Sequence, residues 1–154
     1  MDKAVTAQSL YGEVLRTEVG PRLRALGFVG SGSSFVLPND ESWLVVGFQK
    51  DVYSSASSVR FTVNLSKVRK AAWADFREEN PSLARRPSGN TDYFADSFEL
   101  IRLGFLMPPC RFDRWWQLKD AHPNARVAAQ IATAIERLWV PWLRSQPDDR
   151  PAAH

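Results

Sequence analysis

Polar side chains with aromatic neighbours recur on several predicted strands, and they are the residues of this chain best suited to chemistry. Arg102 is the central one, because its planar and permanently charged guanidinium fits a carboxylate or a phosphate. If the strands that carry these residues are neighbours, the residues share one sheet face and form a polar, aromatic-walled surface that can hold a ligand or a peptide. The predicted ligand-binding residues are Gln49, Asn64, Arg102, Asp113, Trp115 and Trp116, with Lys50 next to Gln49.

The same residues also have a structural interpretation. Arg102 and Asp113 can form an ion pair that only stabilises the fold, while Trp115 and Trp116 fill the core. This structural interpretation is favoured over a binding site, and the sequence leaves both open.

Catalytic chemistry has little support in the sequence. The two histidines, His122 and the terminal His154, have no metal-ligand spacing. Cys110 has no histidine close to it in the chain, so we interpret it as a small packing residue rather than a nucleophile. Neither phosphate-binding glycine motif, GxxxxGK[ST] or GxGxxG after a strand, occurs. We therefore predict no catalytic residue, no metal site and no cofactor, and we favour a protein that is not an enzyme.

The balance of charge gives only weak support for nucleic-acid binding. The chain has 20 basic and 17 acidic residues, which gives a formal net charge of +3. A nucleic-acid-binding protein usually shows a clustered basic stripe, whereas two short basic groups are more typical of a solvated helix face and a loop. The weak nucleic-acid candidates are Lys67, Arg69, Lys70, Arg85 and Arg86.

The length and composition are typical of one globular domain, with 154 residues, 44% hydrophobic and 24% charged. We expect a single α+β domain over residues 1–145 and a flexible tail over residues 146–154. The first apolar residues form no signal-like core, and no run approaches the roughly 20 residues of a membrane span. A single cysteine cannot form an intramolecular disulfide. We therefore expect a cytoplasmic protein with no membrane association.

Hydrophobic periodicity predicts the elements that position the polar residues. Spacings of three and four indicate helices, and strict alternation indicates strands. The stretch 42–50 is apolar on both faces, which is typical of a central strand. The predicted helices are 6–26, kinked at Gly20-Pro21 and ended by Gly27, then 67–79, and 123–142, bent at Pro141; the predicted strands are 35–37, 42–50, 59–66, 98–107 and 111–119, with a turn at 30–33 and a loop at 85–90. This order predicts an α+β fold, in which a mainly antiparallel sheet of about four to five strands has N-terminal, insertion and C-terminal helices on one face.

A succession of short motifs runs through these elements. They are Leu23-x-x-Leu26-Gly27-Phe28, Phe35, Phe48-Gln49-Lys50, Phe61-Thr62-Val63-Asn64-Leu65, Arg102-Leu103-Gly104 and Asp113-x-Trp115-Trp116-x-Leu118. In this order, over residues 9–142, the chain resembles the family called domain of unknown function 4304 (DUF4304). The resemblance implies a small bacterial cytoplasmic protein and supplies no activity, cofactor or catalytic residue. Residues 67–96 match none of the motifs.

Three classes of function are compatible with these observations. The leading hypothesis is a non-catalytic binding module that recognises a protein partner, as small regulatory or toxin-neutralising proteins do. It follows from the missing catalytic constellation and the aromatic-rich sheet. The alternative is a small-molecule-binding domain or enzyme that holds a polar or anionic ligand through Arg102 with Asn64, Gln49 and Asp113. Nucleic-acid binding through the basic residues named above is the third class and the least supported.

Overall fold

A computed structural model of the chain describes residues 6–55, 57–93, 95, 98–109, 111–119 and 125–145. The helices are α1 (Ala7–Val14), α2 (Gly20–Ala25), α3 (Lys70–Glu79), α4 (Ala125–Ala134) and α5 (Val140–Ser145), with π-helical turns over Leu15–Val19 and Ile135–Trp139 and a 3-10 turn over Leu103–Leu106. The strands are β1 (Val29–Ser31), β2 (Ser34–Leu37), β3 (Ser42–Lys50), β4 (Ser58–Arg69), β5 (Phe98–Arg102) and β6 (Trp116–Lys119). The predicted tail, Cys110 and both histidines lie outside the described residues.

Strand β4 has the most neighbours in the sheet. One of its edges pairs with β3 along the whole of that strand. Its other edge is shared, because β6 pairs with residues 58–61 and β5 pairs with residues 64–68. Beyond β3 the sheet continues through β2 to β1, and all of these pairings are antiparallel. The predicted α+β fold with an antiparallel sheet is confirmed.

The sheet buries both of its faces under different helices. The face that we call the helical face packs against α1, α4 and the turns that continue them, through a core that includes Phe35, Val46, Phe48, Phe61, Val63, Leu65 and Leu118. The other face, which we call the insertion face, carries Val45 and Val68 and is partly covered by Trp73 of α3. The expectation that all helices share one face is therefore wrong. Because β3 and β4 are apolar on both faces, each face needs its own cover.

Two helical units run through a proline without ending. The first consists of α1, its π-helical turn and α2, and the second consists of α4, its π-helical turn and α5. Pro21 has no N–H to donate to the carbonyl four residues earlier. In the π-helical turn before it, the N–H of Gly20 donates instead to the carbonyl of Leu15, five residues back, and the same arrangement precedes Pro141. The wider turn lets the helix continue, so the predicted kink takes the form of a π-helical turn. Among the described residues, no helix has the length and apolar character that crossing a membrane requires.

Helix α3 begins later than predicted, and one strand is additional. The last residues of β4 still pair with β3 and β5, so the strand continues to Arg69 and α3 starts at Lys70 rather than at Lys67. Strand β1 replaces part of the predicted turn. Its three residues are all exposed and include a glycine, so no hydrophobic alternation indicates a strand there.

The two strands on the shared edge of β4 are shorter than predicted. Strand β5 ends at Arg102 rather than at Met107, and β6 begins at Trp116 rather than at Arg111. The chain turns at Gly104, which lies against the segment that leads into β6. A Cβ on Gly104 would come within 2.6 Å of the backbone nitrogen of Arg114. This close approach needs a glycine and ends the strand pairing.

The first helical unit ends at Gly27, which has a φ of +100°. The N–H of Gly27 donates to the carbonyl of Arg24, and the N–H of Phe28 donates to the carbonyl of Leu23, both at 3.0 Å. These two bonds satisfy helix-end carbonyls and form a Schellman motif at the helix end that the sequence predicts.

Replacing Gly27 tests this ending. Gly27→Ala should lower the free energy of unfolding by about 1–2 kcal/mol, because an L side chain resists the left-handed conformation although its Cβ would meet only Leu37, at 3.8 Å. The matched control is Gly12→Ala inside α1, where a Cβ meets nothing within 4 Å and should stabilise the protein by about 0.5–1 kcal/mol. Urea unfolding of both variants provides the comparison. Two shifts of the same sign would contradict this account.

Tyr11 buries its ring on the helical face with 6% exposure. The ring lies 5.3 Å from that of Phe61, centroid to centroid. Its hydroxyl makes no hydrogen bond with any residue that the structure describes. Burial therefore raises the pKa of Tyr11 above its ordinary value of 10.0, because the charged phenolate would lose its hydration.

We expect Tyr11→Phe to keep the protein stable and to change how stability depends on pH. Removing an unpaired buried hydroxyl should leave the free energy of unfolding at pH 7 unchanged or raise it by up to about 1 kcal/mol. Above pH 10 the unfolded chain releases the Tyr11 proton before the folded chain does, so stability that is present below pH 10 is lost as the pH rises. Urea unfolding from about pH 8 to 11 should show a smaller decline in the variant. A steeper decline in the variant would contradict the burial argument.

Candidate functional site

Asn64 is the centre of the polar residues on the insertion face. In the ladder it lies directly opposite Gly47 of β3 and Arg102 of β5. Gln49 is two residues beyond Gly47 on the same strand, so its side chain points to the same face. The structure therefore brings together three of the predicted ligand-binding residues, Gln49, Asn64 and Arg102.

The side chain of Asn64 is buried, with 3% exposure, and uses all its polar atoms. Its Nδ2 donates to Gln49 Oε1 at 2.8 Å and to Asn90 Oδ1 at 3.0 Å. Its Oδ1 accepts a longer bond from Arg102 Nε at 3.4 Å. Asn64 thus has no donor left for a ligand, and its contacts stabilise the fold.

Asn90 attaches the insertion loop to the sheet. Its Nδ2 donates to the backbone carbonyl of Phe48 at 3.0 Å, in addition to the bond that its Oδ1 accepts. Gly47 makes this approach possible, because a Cβ there would collide with Asn90 Oδ1 and come within 2.9 Å of the carbonyl carbon of Gly89. Asn90 is not among the binding residues predicted from the sequence, and nothing in the local pattern relates it to β3.

Trp115 packs against two arginines on the same face. The guanidinium carbon of Arg60 lies 4.9 Å from the centroid of the Trp115 ring system, and that of Arg102 lies 5.1 Å from it. Thr62, between these arginines along the sheet, donates its hydroxyl to the carbonyl of Arg114 at 2.8 Å and so holds the chain before Trp115 against β4. Both arginines are therefore positioned to make cation–π contacts.

An acidic residue lies beyond each arginine. Asp51 Oδ2 is 3.1 Å from Arg60 Nε, and Asp113 Oδ2 is 2.6 Å from Arg102 Nη1. The side chains of Arg60 and Arg102 remain 53% and 33% exposed, so both pairs are in contact with solvent. We call the five residues Asp51, Arg60, Arg102, Asp113 and Trp115 the Trp115 surface. The predicted pair of Arg102 and Asp113 is present, and it is part of this surface rather than of the core.

Trp116 lies on the other side of the sheet from Trp115. Its ring stacks on Phe61 at 6.0 Å, and its indole N–H donates to Gln130 Oε1 at 3.0 Å. Lys50 also turns to the helical face, where its Nζ donates to Gln8 Oε1 at 3.0 Å. Adjacent residues of a strand point to opposite faces, so one of the two tryptophans had to join the core.

The tip of the β3–β4 hairpin exposes two apolar residues beside the Trp115 surface. Val52 and Tyr53 are 88% and 90% exposed. The N–H of Tyr53 donates to Asp51 Oδ1 at 3.0 Å, which connects the tip to the Asp51–Arg60 pair. Val52, Tyr53 and Arg60 are not among the binding residues predicted from the sequence. The only local signal is an aromatic residue beside the serine-rich turn.

The predicted basic residues do not gather on one surface. Lys67 is on the helical face, opposite Glu99 in the ladder. Lys70 lies on the insertion face, with its Nζ 4.9 Å from the Trp43 ring centroid. Arg85 is exposed, and its backbone carbonyl accepts the indole N–H of Trp73. Arg69 is half-buried at the end of β4, and Arg86 is exposed in the loop. Nucleic-acid binding stays a prediction without added support from this arrangement.

A depression of about 260 Å³ lies between α3 and the beginning of β5, and we call it the α3 pocket. It is lined by Ala72, Asp75, Phe76, Glu79, Ala95 and Phe98. The rings of Phe76 and Phe98 are 5.2 Å apart and nearly perpendicular, at 81°. Asp75 and Glu79 are exposed, and neither has a hydrogen bond or an ion pair with any described residue. The pocket therefore combines aromatic walls with two unpaired carboxylates.

Most charges at the ends of α3 are unfavourable for the helix itself. Its first turn contains Lys70 and no acidic residue. Its last turn contains the favourable Arg77, but Glu78 and Glu79 lie next to the negative end of the helix dipole. Asp75 and Glu79 are four residues apart, and like charges at this spacing cost about 0.2–0.5 kcal/mol. The acidic residues of the pocket are therefore not explained by helix stability.

The described residues contain no group of three or more histidine, cysteine, aspartate or glutamate side chains that could hold a metal ion.

Replacing Asn64 tests the structural role of the polar network. Asn64→Ala should lower the free energy of unfolding by about 2 kcal/mol, because it leaves the partners of a buried amide unpaired. The matched control is Gln117→Ala on the same face, where an exposed side chain donates a single bond to Ser58 Oγ at 2.6 Å; this change should cost less than about 0.5 kcal/mol. Urea unfolding measures both. Equal effects would show that burial of the network does not matter.

Comparison with known proteins agrees with the motifs of the sequence. A family model described as Domain of unknown function (DUF4304) matches residues 19–145. No curated protein matches the chain, and no solved structure does. The matched segment begins at the end of the first π-helical turn and includes α3, the Trp115 surface and the closing helices. Because the model covers most of the sequence, the chain belongs to the DUF4304 family.

Proposed function

We propose that this protein is a non-catalytic binding module that recognises a protein partner through the Trp115 surface and the adjoining hairpin tip. The observation that supports this most is the packing of Trp115 against the exposed Arg60, at 4.9 Å, and the partly exposed Arg102, at 5.1 Å. Tryptophan, tyrosine and arginine are the residues most enriched among those that dominate binding energy in protein interfaces. Here Trp115 and the two arginines are in contact, and Tyr53 lies beside them through the bond of its backbone N–H to Asp51.

The connections within this surface support binding to a protein. The Asp51–Arg60 and Arg102–Asp113 pairs hold the guanidinium groups against Trp115 before any partner arrives. Side chains that are already ordered lose less conformational entropy on association, so more of the contact energy appears as affinity. Tyr53 adds a large exposed aromatic ring, and its backbone N–H donates a hydrogen bond to Asp51 Oδ1.

A small anionic ligand is a poorer match to this surface. Such a ligand would have to share Arg102 with Asp113, whose negative charge lies 2.6 Å from Arg102 Nη1 and repels an anion. Asn64, another of the residues proposed to hold the ligand, uses both N–H donors within the fold. The contacts of Arg102 and Asn64 therefore favour a protein partner over a small anion.

The biological role that we propose is regulatory or toxin-neutralising, in the cytoplasm of a bacterium. The single cysteine is consistent with a reducing compartment. A module that acts by binding to another protein needs a stable scaffold and one exposed recognition surface. The double-sided burial of β4 supplies the scaffold.

Affinity purification of the tagged chain from its source cells, followed by affinity measurement with each recovered protein, tests the proposal. Trp115→Ala and Tyr53→Ser should each weaken binding, the former by about 30-fold or more if Trp115 is a dominant contact. Tyr53 is 90% exposed, so its replacement should not affect folding. The control is Val29→Ala, which changes an exposed residue on β1 at the far edge of the sheet.

The proposal is overturned if no protein is recovered specifically. It is also overturned if the recovered protein binds the Trp115→Ala and Tyr53→Ser variants as tightly as it binds the original chain. Equal weakening by Val29→Ala would place the binding surface elsewhere.

A further inference from the structure

We propose that the α3 pocket binds the side chain of a lysine or arginine that a partner protein presents on an extended segment. This inference rests on the proposed function, because it identifies the chemistry of the partner. It concerns residues that the Trp115 surface does not include.

The lining of the pocket is suited to an organic cation. Phe76 and Phe98 form two nearly perpendicular walls, with ring centroids 5.2 Å apart. Aromatic faces attract ammonium and guanidinium groups and also pack against the methylene stem of a lysine or arginine. Asp75 and Glu79 supply two carboxylates at the rim, and neither is engaged with another described residue.

The size of the pocket favours one side chain over a larger ligand. Its volume is about 260 Å³, whereas sites for drug-sized molecules and cofactors usually have roughly 300–1,000 Å³ and enclose most of the ligand. The rim residues Asp75 and Glu79 are exposed, so the pocket opens to solvent. An open site of this size fits the end of a side chain that is attached to a larger partner.

Strand β5 relates the pocket to the Trp115 surface. Phe98 lines the pocket, and Arg102 at the other end of the strand belongs to the Trp115 surface. Leu100 lies between them and is 37% exposed. Alternate residues of a strand point to the same face, and four residues span about 13 Å. A partner segment of about five extended residues can therefore reach from the α3 pocket over Leu100 to Trp115.

The acidic residues of α3 fit this role better than a structural one. Like charges at Asp75 and Glu79, near the negative end of the helix dipole, oppose the helix that carries them. A cation bound between them would relieve this repulsion. Residues that break a local rule of stability without compensation within the fold are often functional.

The pocket can be tested without knowing the partner. The probe is Nα-acetyl-L-arginine amide, and the neutral comparison is Nα-acetyl-L-citrulline amide, which has almost the same shape. The readout is a titration followed by the backbone amide signals of isotope-labelled protein. We expect saturable shifts confined to α3, Ala95 and Phe98, with a dissociation constant in the millimolar range. The citrulline probe should give no saturable shift.

Three variants test which residues are responsible for arginine-amide binding. The double substitution Asp75→Asn with Glu79→Gln keeps the shape and removes both charges, and it should weaken arginine-amide binding by about fivefold. The matched control is Glu78→Gln, which removes an equal charge from the same turn at a residue that does not line the pocket. It should change the dissociation constant by less than about twofold. Trp115→Ala should leave arginine-amide binding unchanged.

Several results would contradict cation binding by the α3 pocket. Absence of saturable shifts up to about 50 mM probe, equal binding of the citrulline probe, or equal weakening by the Glu78→Gln control would overturn the pocket. The Trp115→Ala variant keeps the pocket. If this variant binds the arginine amide, cation binding by the pocket is supported, whether or not the partner needs Trp115. Conversely, a partner that needs Trp115 but binds equally well to the Asp75→Asn, Glu79→Gln variant supports the proposed function and overturns this inference.

Discussion

The burial of β4 on both faces is the constraint on which the other features depend. Its odd-numbered residues point to the helical face, where the apolar ones among them need only apolar neighbours and no hydrogen-bond partners. Its even-numbered residues enter the insertion face, and three of them, Thr62, Asn64 and Ser66, are polar and almost completely buried. Buried polar groups cost free energy unless they are hydrogen-bonded. The partners of Thr62 and Asn64 come from distant parts of the chain.

Those partners arrange the surface. Asn64 is satisfied by Gln49, Asn90 and Arg102, which fixes the insertion loop and one arginine at the same time. Thr62 is satisfied by the carbonyl of Arg114, which places Trp115 over β4. Arg102 then lies between the buried amide and the half-buried Trp115. The Trp115 surface is thus an outward continuation of the polar network inside the sheet.

The sequence predicts the parts of this arrangement that depend on local alternation. The regular pattern of β4 correctly separates Asn64 from Val63 and Leu65, and the position of Gly27 correctly indicates the end of the first helical unit. Alternation also means that Trp115 and Trp116 point to opposite faces, with Trp116 on the side of the apolar Leu118 and Trp115 on the side of the polar Gln117. The prediction that both tryptophans belong to one binding surface did not take this difference into account.

The features that the sequence does not predict depend on distant contacts. Asn90 reaches Phe48, 42 residues away in the chain, and Arg60 meets Trp115 only because β6 lies beside the start of β4. The boundaries of β5 and β6 follow from two strands sharing one edge, which hydrophobic periodicity does not show. The family motifs include Asn64, Arg102 and Trp115 without indicating that they belong to one network.

Helix α3 shows how stability and recognition are separated in this fold. Its attachment depends on Trp73, which is 2% exposed and packs against Phe76, Tyr93 and Phe98. Several tilted or perpendicular aromatic contacts of about 0.5–1.5 kcal/mol each exceed the cost of two like charges at the helix rim. The inner side of α3 therefore stabilises the helix strongly enough that its outer side can carry charges that do not benefit it. The exposed residues of α3 can therefore be suited to binding a partner, because the stability of the fold does not depend on them.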